Sequence, residues 1–177
     1  RRVLFRSHVH ADVWALVREK RIPVLGICYG MQELAHVNGG TVAPGSAREF
    51  GKAHITKNVE AGAVADMILN EIDDGVQVWM SHGDKVHVLP AGFVKIAHSE
   101  NSDQAIIGNL EQQMWGFQFH PEVTHSLQGK QMLKNFVVDI CHAPTDWDMT
   151  VIADEMIHNI RETVGPEGKV IGAVSGG

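Results

Sequence analysis

The chain has 177 residues, of which 44% are hydrophobic, and its formal net charge is −6. An acidic chain without a basic stripe argues against nucleic acid as a partner, and no apolar run approaches the roughly 20 residues that span a bilayer. Its two cysteines, Cys28 and Cys141, do not make a disulfide framework, so we predict a protein of the reducing cytoplasm.

Helix and strand patterns alternate in the first part of the chain, and strands dominate afterwards. In chain order we predict a helix at 10–20, a strand at 22–27, a helix at 31–37, a strand at 50–57, a helix or loop at 61–72, a strand at 76–80, a loop at 81–84, strands at 93–97, 104–108 and 114–119, and a helix at 126–141. This order predicts an α/β fold with a mostly parallel central sheet, flanking helices and an antiparallel appendage.

A lone cysteine lies between two glycines where a predicted strand meets a helix. Gly26, Cys28 and Gly30 form a G-x-C-x-G pattern, the cysteine version of the nucleophile elbow, in which a sharp turn holds the nucleophile above the sheet edge. We predict that glycine is needed on both sides because side chains there would collide. The positive end of the following helix is expected to favour the thiolate over the thiol. A small buried cysteine in an ordinary strand is the alternative.

A second candidate group lies at the end of the strand predicted over 114–119. His120 and Glu122 project to the same side because alternate residues of an extended chain share a face. A base that is held by an acid and aimed at a thiol is the general arrangement for nucleophilic catalysis. We therefore predict Cys28 as the nucleophile, His120 as the base and Glu122 as the acid that orients it. A surface turn at His120 is the alternative.

Metal chemistry is not indicated. The H-x-H pair of His8 and His10 lacks a third ligand at a useful spacing, and neither H-E-x-x-H nor C-x-x-C occurs in the chain. We predict no metal in this segment.

Three motifs, taken together, resemble those of a known family. They are GICYGMQ at 26–32, WMSHGDKV at 79–86 and FQFHPEVTH at 117–125. In this order they resemble the class I glutamine amidotransferases, and the middle motif is similar to that of the glutamine-hydrolysing GMP synthases. The resemblance implies glutamine as the substrate and ammonia as a product that passes to a second domain.

Further site residues are implied in part by this resemblance. The backbone N–H of Tyr29, which follows the nucleophile in the elbow, is expected to be one oxyanion donor. Gln32 resembles a contact on the substrate side. Ser81, His82 and Gly83 resemble the family's loop that binds the amino and carboxylate ends of glutamine, with a structural turn as the alternative.

The C-terminal residues carry a different pattern. We predict an amphipathic helix at 150–164 and a strand at 169–174, followed by Ser175, Gly176 and Gly177. A strand followed by Ser-Gly-Gly resembles the start of an ATP pyrophosphatase phosphate loop, whose backbone N–H groups would hold pyrophosphate. A flexible pair of terminal glycines is the alternative.

The domain organisation predicted from these patterns has three parts. An amidotransferase domain spans 1–143, a linker spans 144–149, and the truncated start of a synthetase domain spans 150–177. For the complete protein the resemblance implies ATP, Mg²⁺ and xanthosine monophosphate (XMP) as ligands of the synthetase part, with no cofactor in this segment. It also implies a homodimer that forms through a C-terminal part outside this segment.

The N-terminal residues fit the family poorly. Only 27 residues precede Cys28, and they contain neither a first strand nor the glycine-rich loop that supplies the second oxyanion donor in similar enzymes. We therefore expect a fragment truncated at both ends, with a non-native stretch at 1–7. Because loss of one oxyanion donor costs roughly 10²–10³ in rate, we expect little or no glutaminase activity from this segment alone.

Three other functions remain open from the sequence. The glutaminase part of a carbamoyl phosphate, anthranilate or CTP synthase would share the triad. A cysteine peptidase or γ-glutamyl hydrolase could use the same scaffold. A non-catalytic module that binds glutamine is the third possibility.

Overall fold

The computed structural model describes residues 8–146 and 149–171, which fall into two units divided between Ala143 and Pro144. The expectations for residues 1–7 and for Ser175, Gly176 and Gly177 lie outside the described residues. In the first unit the helices are α1 (Ala11–Lys20), α2 (Tyr29–Val37), α3 (Ala63–Ile68) and α4 (Gly129–Lys134). Its strands are β1 (Val24–Ile27), β2 (Thr41–His54), β3 (Thr56–Lys57), β4 (Gln77–Val88), β5 (Val94–His98), β6 (Ile106–Asn109) and β7 (Met114–Phe117).

The central sheet of the first unit has five strands in the order β1-β7-β6-β5-β3. The α/β class, the flanking helices and the antiparallel appendage are confirmed, but the described sheet is mixed rather than mostly parallel. Only β1 and β7 pair in parallel, whereas the remaining three pairs are antiparallel. The reason is that β5, β6 and β7 follow one another through short connections, which join antiparallel neighbours, while a parallel pair needs a longer crossover.

The antiparallel appendage is a two-stranded ribbon formed by β2 and β4. The strand predicted at 76–80 continues to Val88, so the loop predicted at 81–84 is wrong. Ser81 and His82 pair with Phe50 and Glu49 of β2. Cross-strand pairing over this length provides backbone partners that the sequence of a single strand does not reveal.

Two apolar clusters lie on the two faces of the central sheet. Neighbouring residues Ile106 and Ile107 belong to different clusters, as expected from the alternation of side chains along a strand. Gly116 of β7 faces α2, and a Cβ atom at this glycine would lie 2.7 Å from Cγ of Met31. The absence of a side chain there lets α2 pack closely against the sheet, directly behind the β1–α2 turn.

The C-terminal part of the first unit is helical, in agreement with the helix predicted at 126–141. It begins with α4 and continues as a π-helical turn over Asn135–Ile140. Asn135 is completely buried and donates hydrogen bonds to the carbonyl oxygens of Ile68 and Asn70 at 3.1 and 2.8 Å. This side chain therefore connects the end of α3 with the C-terminal helix.

The second unit contains α5 (Met149–Val164), which agrees with the helix predicted at 150–164. Of the strand predicted at 169–174, residues 169–171 are described, and they form no strand. A strand is defined by pairing, and no described segment pairs with these residues. Within the described residues, no helix combines the length and the apolar character needed to cross a bilayer.

Candidate active site

The cysteine turn has the backbone geometry of an elbow. Cys28 lies between β1 and α2 with φ 52° and ψ −103°, a conformation that costs energy for any residue other than glycine. Its N–H donates to the carbonyl oxygen of Phe117 at 2.7 Å, which ties the turn to the end of β7. The predicted strand-to-helix joint is therefore present, and the tertiary structure holds its central residue in a strained conformation.

The two glycines that flank Cys28 have different roles. A Cβ atom at Gly26 would lie 2.5 Å from both the carbonyl carbon and the oxygen of Gly30, and 2.7 Å from the nitrogen of Met31. By contrast, no heavy atom lies within 4 Å of a Cβ atom at Gly30. Glycine is thus required by close packing at Gly26, while the expectation that Gly30 is sterically required is wrong. The collision occurs between the strand and the backbone of the first helical turn, so only the strand residue is constrained.

The predicted base and acid lie together just beyond β7. Nδ1 of His120 and Oε1 of Glu122 are 2.7 Å apart. The N–H of His120 donates to the carbonyl oxygen of Trp79 at 3.0 Å. Ser126 Oγ donates to the carbonyl oxygen of His120 at 2.5 Å and accepts the N–H of Trp79 at 3.1 Å. Hydrogen bonds to β4 therefore fix the backbone that carries the imidazole.

Around the sulfur of Cys28 lie groups from both β4 and the chain after β7. Sγ is 3.9 Å from the carbonyl oxygen of Ser81 and 4.0 Å from Nε2 of Gln118. Glu122 is near enough for its charge to affect the pKa of the thiol. Among the described residues, no hydrogen bond joins the sulfur directly to the ring of His120, so their pairing in catalysis stays a prediction.

The ionisation of Cys28 differs from the expectation based on the helix end. Burial raises the pKa of the Cys28 thiol above its ordinary value, and the Glu122 carboxylate raises it further. Hydrogen bonds from the backbone of Tyr29 and the side chain of Gln118 lower the pKa but do not reverse the shift. The expectation that the thiolate is favoured at rest is therefore wrong. Desolvation of the sulfur raises its pKa more than the hydrogen bond from the first turn of α2 lowers it.

The four predicted glutamine contacts comprise one exposed residue, one half-buried residue and two buried residues. Ser81 is exposed, and its carbonyl oxygen lies at the sulfur. Gln32 is buried and its amide nitrogen donates to the carbonyl oxygen of Asp84 at 2.8 Å. His82 is also buried, and Gly83 lies against the side chain of Arg48. The structure brings Gln32 and Ser81 to the neighbourhood of Cys28, while contacts of all four residues with glutamine stay predictions.

Two residues at this site were missed by the sequence reasoning. Gln118 is completely buried beside the sulfur, and Glu49 is buried against His82, with Oε2 3.1 Å from Nε2 of the ring. The strand predicted over 114–119 could have indicated Gln118, because it lies two residues before His120, although β7 ends at Phe117. No pattern indicates Glu49, which comes from β2, far from the recognisable motifs. Within the described ranges, no group of three or more histidine, cysteine or acidic side chains could hold a metal ion.

The mixed sheet, its flanking helices and the cysteine elbow define an α/β protein with the geometry of a nucleophile elbow. The Glutamine amidotransferase class-I family matches residues 6–140. The chain therefore belongs to the class I glutamine amidotransferase family, which confirms the resemblance seen in the sequence.

The chain is also similar to curated GMP synthases of two yeasts. The chain is 52% identical over 170 residues to a glutamine-hydrolysing GMP synthase of Candida albicans, covering 96% of the chain and 30% of that protein. It is 50% identical over 156 residues to the Saccharomyces cerevisiae GMP synthase, covering 88% of the chain and 29% of that protein. The chain thus spans about 30% of the length of the curated relatives that it matches.

A solved structure supports the fold. A Thermotoga maritima glutamine amidotransferase is 25% identical and superposes with a TM-score of 0.55, covering 84% of this chain and 54% of that one.

Proposed function

We propose that this chain is the glutaminase portion of a glutamine-hydrolysing GMP synthase, in which Cys28 attacks the carboxamide carbon of glutamine. One observation carries the proposal. The cysteine elbow is bonded to the end of β7, just before the point where His120 and Glu122 form their 2.7 Å hydrogen bond. The 52% identity with the Candida albicans GMP synthase favours this synthase over the other glutamine-dependent ones.

The first half of the reaction forms a thioester. Because burial keeps Cys28 protonated at rest, the thiol proton passes to Nε2 of His120 as the sulfur bonds to the carboxamide carbon. The electron pair of the C=O bond moves to oxygen, and backbone donors that include the N–H of Tyr29 hold the resulting oxyanion. Glu122 orients the ring through Nδ1 and stabilises its cationic form.

The second half releases the products. The oxyanion collapses, the C–N bond breaks, and His120 gives its proton to the leaving nitrogen, which departs as ammonia. Water then attacks the thioester while His120 takes one of its protons. Cleavage of the C–S bond yields glutamate, and the proton on His120 returns to the sulfur to restore the Cys28 thiol.

For the glutamine contacts we propose Gln32, Ser81, His82 and Gly83. The proximity of the Ser81 carbonyl oxygen to Sγ supports this assignment for the residue that lies closest to the sulfur. Because Gln32 and His82 also make internal hydrogen bonds, we expect them to hold β4 in position as well as to contact glutamine.

For the complete protein we propose a cytoplasmic enzyme that is homodimeric through its C-terminal part. Its synthetase domain would begin at 150–177 and follow an amidotransferase domain at 1–143 and a linker at 144–149. There, with ATP and Mg²⁺, XMP would be adenylated and ammonia would displace AMP to give GMP. The candidate ATP contacts Ser175, Gly176 and Gly177 lie outside the described residues.

The decisive experiment uses the full-length parent enzyme with Cys28→Ala. We expect GMP synthesis from glutamine to be lost and synthesis from added ammonia to remain, because only the hydrolysis of glutamine uses the thiol. Cys141→Ala is the matched control and should retain both activities. Loss of both activities in Cys28→Ala, or of neither, would refute the role of Cys28. Covalent labelling of Cys28 by a glutamine-analogue affinity reagent distinguishes the enzyme from a binding module.

A further inference from the structure

Gln118 is completely buried, yet its polar end lies at the sulfur of Cys28. Its amide nitrogen is 4.0 Å from Sγ, within the range of a hydrogen bond to sulfur. We propose that Gln118 is a further catalytic residue, which donates a hydrogen bond to the reacting sulfur and stabilises its thiolate form. This inference rests on the proposed function of Cys28 as the nucleophile.

The orientation of the Gln118 amide follows from its neighbours. The carbonyl oxygen of Asp84 can only accept, so the Gln32 atom that lies 2.8 Å from it must be the amide nitrogen. The same nitrogen is 3.5 Å from Gln118, which therefore presents its oxygen to Gln32. The other end of the Gln118 amide, which faces the sulfur, is then the NH₂ group. The chain of donors and acceptors thus fixes which end of the Gln118 amide faces the sulfur.

A buried histidine–carboxylate contact holds the far end of this chain. The Asp84 carbonyl oxygen also lies 3.1 Å from Nδ1 of His82, whose Nε2 is 3.1 Å from Oε2 of Glu49. Ser99 Oγ donates to the other carboxylate oxygen of Glu49 at 2.8 Å. Both ring nitrogens of His82 face acceptors, so the ring satisfies both contacts when both nitrogens carry hydrogen. We infer that Gln32, His82 and Glu49 act as positioning residues for the donor at Gln118.

The charge of Glu49 is consistent with this anchoring role. Burial by itself raises the pKa of the Glu49 carboxyl, but hydrogen bonds from His82 and Ser99, together with the charges of His82 and Lys85, outweigh it. The pKa of Glu49 therefore lies below its usual value, and the carboxylate remains ionised as an acceptor.

A donor at the sulfur compensates for three features that oppose ionisation. The Ser81 carbonyl oxygen, 3.9 Å from Sγ, can accept a hydrogen bond from the thiol but not from the thiolate. Burial and the Glu122 carboxylate also favour the thiol, while the hydrogen bond from Gln118 lowers the pKa of Cys28. The hydrogen bond from the Gln118 N–H group is stronger to a thiolate than to a thiol, because a hydrogen bond to a charged acceptor is stronger than one to a neutral acceptor.

The test measures how readily Cys28 ionises. In the 177-residue chain, Cys141→Ala leaves Cys28 as the one cysteine that can react with iodoacetamide, and the pH dependence of its alkylation gives the midpoint of thiol ionisation. Gln118→Met removes the donor without adding charge. We expect the midpoint to rise by about one pH unit, a tenfold loss of thiolate at a fixed pH below it.

Gln131→Met is the matched control. This residue also loses an amide donor, at 2.9 Å from Asn135 Oδ1, but it lies on α4 and does not contact the sulfur. We expect an unchanged midpoint in the control. Equal midpoints in the Cys141→Ala chain with and without Gln118→Met would overturn the proposal. A shift in Gln131→Met as large as that in Gln118→Met would also overturn it.

A measurement without any substitution at position 118 covers the case in which Gln118→Met does not fold. In the ¹⁵N-labelled Cys141→Ala chain, one side-chain amide signal should change its chemical shift over the pH range of Cys28 ionisation, and this change should vanish when Cys28→Ser is added. No such amide signal would overturn the proposal.

A double-mutant cycle tests the positioning role of Gln32. Gln32→Met should raise the Cys28 midpoint when Gln118 is present and have no further effect in the Gln118→Met background, because Gln32 acts through Gln118. A shift of equal size in both backgrounds would contradict this connection.

The outcome is separable from that of the proposed function. Alkylation by iodoacetamide needs no glutamine site, whereas labelling by a glutamine analogue does. If Gln118→Met raises the midpoint but the glutamine analogue does not label the full-length enzyme, the contact between Gln118 and the sulfur is supported and the proposed glutaminase function is refuted. If the analogue labels the full-length enzyme but the midpoint is unchanged in Gln118→Met, only the role of Gln118 is refuted.

Discussion

Replacement of Gly26 by alanine should break the cysteine elbow, while the same change at Gly30 should not. A Cβ atom at Gly26 would meet three backbone atoms at 2.5–2.7 Å, whereas ordinary contacts are 3.4–4 Å, so the shortfall is about 0.7–0.9 Å. None of these atoms can move without displacing the first turn of α2. Overpacking costs roughly 1–3 kcal/mol in cores, and we expect about 3 kcal/mol here because the obstacle is backbone.

Gly30→Ala provides the matched control on the other side of Cys28. Its Cβ atom would meet no heavy atom within 4 Å, and Gly30 belongs to α2. Replacing glycine by alanine within a helix stabilises it by roughly 0.5–1 kcal/mol. The two variants should therefore differ by about 4 kcal/mol in the free energy of unfolding, a large part of the roughly 5–15 kcal/mol typical of a domain.

Urea unfolding followed by circular dichroism measures this difference, with equal m-values as the check that the folded states are comparable. The alkylation rate of Cys28 in the folded variants reports whether the sulfur keeps its position. A Gly26→Ala variant that is as stable as Gly30→Ala would show that the turn adapts, and the steric argument for the elbow would fail.

Two further predictions concern buried polar groups. Asn135→Ala should lower the free energy of unfolding by about 2 kcal/mol, because the carbonyl group of buried Ile68 loses its donor and Asn70 loses a second contact. Asn159→Ala on exposed α5 should change the free energy of unfolding by less than about 0.5 kcal/mol, and comparable losses in the two variants would contradict this. Glu49→Gln should destabilise the chain at pH 7, and the difference from the parent should shrink in acid. The folded-state pKa of Glu49 is lowered, so its contribution to stability is present above the unfolded pKa and is lost as the pH falls through the folded pKa. Urea unfolding of both proteins measures the difference, and a difference that stays constant from pH 7 to pH 3 would contradict this reasoning.

Features encoded by short stretches of chain could be predicted from the sequence. The β1–α2 joint at Cys28 follows from an apolar run, a glycine and a helical pattern that are adjacent in sequence. The bond between His120 and Glu122 joins residues two positions apart, so their spacing was sufficient to predict it, although both lie beyond the end of β7 at Phe117. Family membership likewise depended on short motifs whose order along the chain is visible without a structure.

Features that depend on pairing between distant segments could not be predicted. The continuation of β4 through Ser81 and His82 depends on β2, and the mixed direction of the sheet depends on which neighbours each strand finds. A turn-like sequence becomes a strand there because β2 supplies the missing backbone partners.

The sequence by itself determined the turn that holds Cys28 and the pairing of His120 with Glu122, since each depends on residues that are close together along the chain. Only the tertiary structure decided how the sulfur is surrounded. Gln118 lies 90 residues from Cys28 in the chain, and Glu49 lies 33 residues from His82. The pKa of the thiol and the orientation of its donor depend on burial and on hydrogen bonds across these distances, and both arise only when the segments pack together.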